Sequence, residues 1–342
     1  MSSPIRILLC SGSDCEVSAQ LASHAIKKLG WTRLDWATPQ HENDESAMFL
    51  ALLEATGAQA HTDGSAQAWS VTSVAKSLDR ALLICSALDQ DSSFVIDCGE
   101  VSQFLDDVND VRALREIAQQ AMRPELLMDV AGRQLHAQLS AAIQALDSLF
   151  ETLGTQAVLR LAVRPGSYPS GEISEIALDC AVQGLVLDCV VVAPAEKKIG
   201  KSEACRLLSE FSESSSDIHV VHAREMKAGP KGQQVQQRCT EGVAIESVRE
   251  IAGVNRGQYI GEVLASGLDS AELRVGVLDE NLVLATPRVR RVLPLPSTLV
   301  RCAPIDAGVD ATGVHIHFSV EPSLWPESLA AQTGLSAGDR DD

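Results

Sequence analysis

Apolar residues fall along this chain in two rhythms, and the change from one to the other comes near Gly253. Before it, short unbroken apolar runs alternate with stretches at helical spacing. Ile7, Leu8 and Leu9 predict a buried strand; a tight loop at Ser11, Gly12, Ser13 and Asp14 follows, and then an amphipathic helix closed by Gly30. Residues 31–39 predict a second strand and turn, 46–55 a helix, 57–68 a polar surface loop and 71–87 a further helix with Leu78, Ala81 and Cys85 on one face. Residues 93–98 form a short buried strand ending in an acid, and Phe104, Val108, Val111 and Leu114 keep helical register behind it. Leu135, Leu139, Ile143, Leu146 and Phe150 make a second stripe, expected to end at Gly154. Both stripes read as core packing, and Asp106, Asp107 and Asp110 on the other side read as a solvated face.

The clearest βαβ unit spans a strand at 158–163, a helix at 171–183 stopped by Gly184, and a strand at 187–192. A helix at 202–211, a strand at 218–221 and a polar linker at 227–234 lead into a last helix expected to run to Ala252. From Gly253 the period becomes that of short strands, at 258–264, 272–278, 282–286, 290–294 and 313–320, parted by turn residues. So abrupt a switch predicts an α/β domain over 1–252, a mostly parallel sheet flanked by helices, and a small all-β sandwich over 253–321. The Ser-, Ala- and Asp-rich stretch 322–342 is expected to be a disordered tail.

Composition narrows the partners. A net charge of −18 opposes any phosphate-backbone partner, and 4% aromatic content leaves little for base stacking, so nucleic acid is not expected. No apolar run reaches the roughly 20 residues that cross a bilayer, and the apolar segment at the N-terminus is too short for a signal peptide. Nine cysteines without a CxxC pair are the usage of a reducing compartment, so a cytoplasmic location is expected.

A strand feeding a helix through a tight loop is the opening unit of nucleotide-binding α/β folds. A working phosphate loop needs glycines for close backbone approach and a Lys aimed at the phosphates. Here only Gly12 remains, no Lys precedes Lys27, and Asp14 and Glu16 stand where phosphates would lie. A carboxylate about 5 Å from a phosphate charge costs roughly 3 kcal/mol at an effective dielectric near 20. Micromolar to millimolar affinity amounts to only about 4–8 kcal/mol, so no useful ATP affinity is expected.

The ordered set of strand–loop–helix, acid-ended strand, late βαβ unit and terminal β module resembles the anion-transporting ATPase family, the arsenical pump-driving and tail-anchored-protein-targeting ATPases. It is most similar to bacterial members with a C-terminal small-heat-shock-like β domain. The resemblance covers most of residues 5–320 and is best in VLRLAVRPGSYPSGEISEIALDCAVQGLVLDCVVVAP and LRVGVLDENLVLATPRVRRVLPLPSTL. It implies a P-loop-NTPase-like sheet. The family's phosphate loop, GKGGVGKTT, falls on GSDCEVSAQ: Ser13 takes the place of the signature Lys, Val17 of the last Gly, Ser18 of the phosphate Lys and Ala19 of the magnesium-binding hydroxyl. In the switch STDPAH, Thr38 replaces the Asp that prepares the attacking water, while Pro39 and His41 match. The second switch keeps Asp97 and Leu105 but loses its Pro-Thr-Gly, and Ala193 stands where an Asn reads adenine. The remnant nucleotide site implied by the resemblance is therefore Gly12, Ser13, Ser18 and Asp97, with Asp97 alone retaining family chemistry; taken by itself, Asp97 is expected to be a strand-end acid capping the next helix.

Other constellations carry weaker signals. Cys10, Cys15 and Cys98 at one sheet edge would suit a soft-metal or redox site, but they lack motif spacing and cysteine is common in cores. His315 and His317 alternate on a strand with no third ligand in view; His219 and His222 flank a strand end and form no recognisable site. Arg288, Arg290 and Arg291 predict a basic patch on an acidic chain. The expectation is a non-catalytic family member, without ATP, magnesium or other metal, acting as partner or regulatory subunit. The alternatives are an ATPase with weak or atypical hydrolysis that would use ATP and magnesium, or a client-binding module. The resemblance implies pairing across the phosphate-loop surface. Because Asp14 and Glu16 of two copies would repel, a heterodimer with an active family ATPase is expected, the alternative being a monomer whose old interface has become polar.

Overall fold

The computed structural model describes residues 6–36, 77–78, 80–81, 84–85, 93–122, 130–164, 167–168, 172–192, 219–222, 249–255, 258–264, 273–278, 280–310 and 313–320. The expected helices at 46–55 and 202–211, the loop at 57–68, the tail, and Thr38, Pro39, His41 and Ala193 lie outside the described residues.

Six strands form one all-parallel sheet: β1 (Ile7–Gly12), β2 (Thr32–Asp35), β3 (Phe94–Glu100), β4 (Ala157–Val163), β5 (Leu187–Val192) and β6 (His219–His222), in spatial order β2-β3-β1-β4-β5-β6. β1 and β4 are buried at every position, as their continuous apolar runs require of strands covered on both faces. Successive side chains leave opposite faces. Leu8 and Cys10 meet Val17, Leu21, Ala22 and Ala25 of α1 (Cys15–Leu29). Ile7 and Leu9 face the larger core made with α2 (Val101–Ala121), α3 (Val130–Thr155) and α4 (Glu172–Val182). The two predicted helical stripes thus bury as expected, with Leu139, Leu146 and Phe104 at 1% exposure or less. α4 ends where Gly184 takes a φ of 70°.

The β region differs from expectation at its start. The helix predicted to reach Ala252 gives way to β7 (Arg249–Asn255), which pairs antiparallel with β8 (Gln258–Leu264). EIAGV puts β-branched residues around Ala and Gly, and pairing with β8 outweighs the weak helical spacing there. β9 (Arg274–Leu278), β10 (Asn281–Ala285) and β11 (Arg290–Pro294) form a three-stranded sheet, ordered β11-β10-β9. β12 (Cys302–Asp310) and β13 (Gly313–Val320) complete a four-stranded sheet, ordered β12-β13-β8-β7. β12 has no clear alternation in the sequence, carries Pro304 at a register shift, and sits at the sheet edge where a missing N–H is tolerated. Val314, Ile316 and Phe318 are buried on one face of β13, and one apolar cluster runs through the parallel sheet's helices and both antiparallel sheets.

Candidate functional site

Parallel strands end at a common edge, and the loops that leave it carry the charged residues. At the end of β1, Gly12 lets the chain pass close to its neighbours: a Cβ there would lie 2.9 Å from Ser18 N and 3.2 Å from Ala162 O, closer than backbone tolerates. Ser13 N donates to Ala162 O at 2.9 Å, and Ser13 Oγ accepts from Arg164 N at 3.3 Å. Asp14 then caps α1, its Oδ1 accepting from Val17 N at 2.8 Å. The helix N-terminus, the natural seat for an anion, already holds this chain's own carboxylate.

Ser18 points inward rather than towards a ligand. Its single hydroxyl proton is shared between Cys10 O at 2.9 Å and Asp97 Oδ1 at 2.5 Å. Asp97, at 4% exposure, is enclosed by further donors: Arg33 Nη2 reaches its Oδ2 at 2.8 Å and Gly99 N its Oδ1 at 3.2 Å. Ser11 Oγ, donating to Gly99 O at 2.9 Å, ties β1 to the same bend. Across the loop, Arg164 Nη2 lies 3.3 Å from Asp14 Oδ2 and 3.7 Å from Glu16 Oε2. The structure therefore brings Gly12, Ser13, Ser18 and Asp97 together at one edge, and closes them with two arginines.

Those arginines are what sequence reasoning missed. Arg33 interrupts a strand beside Asp35, and Arg164 directly follows the all-buried β4. A charged residue at such a position is the available signal, since strand ends in a parallel sheet converge. Arg164 also alters the expected electrostatics: Asp14 and Glu16 are paired within the chain rather than left facing outward as bare charge. Tyr168 lies among the charges of Glu100, Glu172, Asp14 and Arg288; burial, then those acids, push its phenol up, and its buried hydroxyl has no hydrogen-bond partner among the described residues.

The solvated-face reading of the α2 acids is corrected at Asp107, which is 2% exposed. It accepts from Trp36 Nε1 at 2.8 Å, Ser77 Oγ at 2.9 Å and Gln103 Nε2 at 3.0 Å, and pairs with Arg80. Arg80, Ser77 and Trp36 come from elsewhere in the chain, so α2's own periodicity carries no trace of them. Asp106 remains exposed, and Asp110 is half-buried with its carboxyl raised from 3.8 to about 6 by burial, then by Asp107 and Asp106.

The cysteines do not assemble. Cys10 packs on the α1 face of the sheet and Cys98 on the opposite face, which alternation along the strands dictates. Burial, with Cys10 and Asp97 nearby, pushes the Cys98 thiol up, away from reactive thiolate. Cys15 is exposed on α1. His315 Nδ1 lies 3.9 Å from Glu262 Oε1, and no group of three metal-ligating side chains occurs among the described residues.

The expected basic patch lies against α2 and α4 and meets one acid there. Arg288 Nη1 lies 3.9 Å from Asp179 Oδ2, Arg290 N donates to Asn109 Oδ1 at 3.2 Å, and Arg291 Nη1 reaches Val182 O at 3.5 Å, near the C-terminal carbonyls of α4. Among the described residues no helix is long and apolar enough to cross a membrane. No protein-family model matches the sequence, and no curated protein matches it.

Proposed function

We propose that this chain is a non-catalytic member of the anion-transporting ATPase family, acting in the cytoplasm as partner or regulatory subunit of an active family ATPase. The observation that carries the reading is a closed charge circuit at the place where the nucleotide would sit. Asp14 fills the α1 N-terminus, Ser18 is turned onto Asp97, and Arg33 stands beside Asp97 where a metal ion's charge would be required. A phosphate entering this edge would have to displace Asp14 from Val17 N and compete with Asp14 and Glu16 for Arg164, and the loop from Gly12 to Ser18 carries no lysine. Strand order β2-β3-β1-β4-β5-β6 and a β region after the sheet agree with a P-loop-NTPase-like domain followed by a small-heat-shock-like one.

Titration calorimetry with Mg-ATP tests the reading: no heat of binding is expected up to millimolar nucleotide. Low-micromolar binding, or ATP turnover abolished by Asp97→Asn, would overturn it. The partnership rests on the edge having lost the ligand that would draw two identical halves together. Arg164 compensates Asp14 and Glu16 within one chain, so their repulsion alone no longer drives the choice of partner. Sedimentation of the pure chain, alone and mixed with family ATPases of the same cell, is expected to give a mixed dimer. A stable homodimer indifferent to them would exclude it.

A further inference from the structure

β13 is held on both sides, by β12 and by β8, and its inward side chains Val314, Ile316 and Phe318 are buried at 1% exposure or less. Alternation then fixes the other face: His315 and His317 both leave the sheet outwards, His315 half-buried and His317 exposed. The register brings an acid to each of them. Glu262 of β8 stands directly opposite His315, and Asp306 of β12 directly opposite His317. Residues directly opposite on antiparallel strands share a face, with Cβ atoms about 4.5–5.5 Å apart. Along the chain the two histidines have no third ligand beside them; the strand order supplies one.

The spacing of the first pair leaves room between its atoms. His315 Nδ1 lies 3.9 Å from Glu262 Oε1, longer than the roughly 2.7–3.2 Å of a hydrogen bond. Two ligand atoms each about 2.0–2.1 Å from a tetrahedral zinc ion lie roughly 3.3 Å apart, so only a small shift separates this gap from one that a metal fills. His317 is the diagonal neighbour of Glu262, a position that long side chains reach. The three donors are not gathered on one point in this structure. Turning the exposed His317 ring towards the pair completes the set, and exposed side chains change rotamer readily.

We propose that His315, His317 and Glu262 form a site for a divalent transition metal of the zinc type on the outer face of β13 and β8, with Asp306 beside His317 as a further carboxylate. Two imidazoles and a carboxylate suit zinc, nickel and copper take similar donors, and three protein ligands leave a coordination position open to water. All three ligands stand on paired strands rather than loops, so binding asks no movement of the backbone. The net charge of −18 draws cations to the chain. Arg249 of β7 holds the register position opposite Glu262 on its other side, so a metal competes with a cationic residue for that carboxylate, and micromolar rather than tighter affinity is expected. The inference does not depend on the proposed function.

Titration of the full-length chain with zinc ion, followed through the histidine ring resonances, tests the site, with cobalt(II) as a visible probe. A single equivalent should bind with a micromolar Kd and move the His315 and His317 rings together, while those of His24 and His136 stay in place. The cobalt complex should show ligand-field absorption without the charge-transfer band that thiolates give, which separates this site from metal held by the exposed Cys15. His317→Ala changes an exposed position, so the fold is kept, and it should weaken binding at least roughly tenfold. Glu262→Gln should weaken it several-fold. Zinc that binds His317→Ala as tightly as the parent chain, binding indifferent to Glu262→Gln, or no binding up to millimolar zinc overturns the site.

Discussion

Asp97 and Asp107 are both buried carboxylates held by an arginine and a serine, yet they occupy different kinds of place. Asp97 lies within β3, opposite Cys10 of β1, and its partner Arg33 has a side chain 41% exposed. Asp107 lies inside α2's packing, and its partner Arg80 is 14% exposed. Four donors converge on Asp107 from α2, from Ser77 and Arg80 and from Trp36, whose ring meets Phe104 edge-on at 5.3 Å. One carboxylate has a counter-charge open to solvent; the other knits three parts of the chain together. Burial alone does not distinguish a site from a strut. The exposure of the counter-charge does.

That contrast sets the order of expected effects. Asp107→Ala would remove the acceptor shared by the Arg80 guanidinium and the Trp36, Ser77 and Gln103 donors, and should cost about 3–5 kcal/mol in urea unfolding. Asp97→Asn keeps an acceptor for Ser18 and frees Arg33 to turn to water, so about 1–2 kcal/mol is expected. Equal losses would show that the two carboxylates are both structural and that counter-ion exposure carries no meaning here.

What could be read from sequence follows the same division. The parallel-sheet strands and the stripes of α2 and α3 were legible because one-dimensional periodicity records which face is covered. Asp97 is not the strand-ending acid the sequence suggests: β3 runs on to Glu100, and it is Glu100 that caps α2, accepting from Ser102 N and Gln103 N. Asp107 was misread because α2's pattern shows only that the residue lies off the main apolar stripe, while the groups that bury it are contributed by residues 36, 77 and 80. Arg33 and Arg164 acquire meaning only once β2, β3, β1 and β4 are adjacent, an order that no local pattern contains. β12 escaped because an edge strand with Pro304 and an exposed Ile305 has no alternation to display.

Asp110 sharpens the comparison through pH. Burial raises its carboxyl from 3.8 to about 6, so the folded chain holds this proton more tightly than the unfolded one. The contribution therefore favours folding as pH falls from above 6 towards 3.8, and the cost of the charge is fully present above pH 6. Since the residue is half-exposed, Asp110→Asn should stabilise the chain at pH 7 by only about 1 kcal/mol, and should flatten the stability profile between the two values. Asp107 supplies part of the shift, so Asp107→Asn should move the Asp110 titration back down, which carboxyl-carbon chemical shifts would read.

Arg33→Met is expected to have the smallest effect and tests the contrast most directly. The substitution keeps the unbranched stem along β2 and removes the guanidinium from Asp97 and from Asp35, whose Oδ2 lies 3.9 Å away. Asp97 retains Ser18 Oγ and Gly99 N as donors, and water can take the vacated position at the exposed rim. The loss should be at most about 1 kcal/mol and should shrink as salt is added, because a pair this exposed is already screened. Arg80→Met removes the matching charge from Asp107, where the counter-ion is enclosed, and should cost several-fold more with little response to salt. Urea unfolding of both variants at low and high ionic strength makes the comparison within one protein. If Arg33→Met costs as much as Arg80→Met, the Asp97 edge is as sealed as the α2 core, and the exposure of the counter-charge does not separate the two carboxylates.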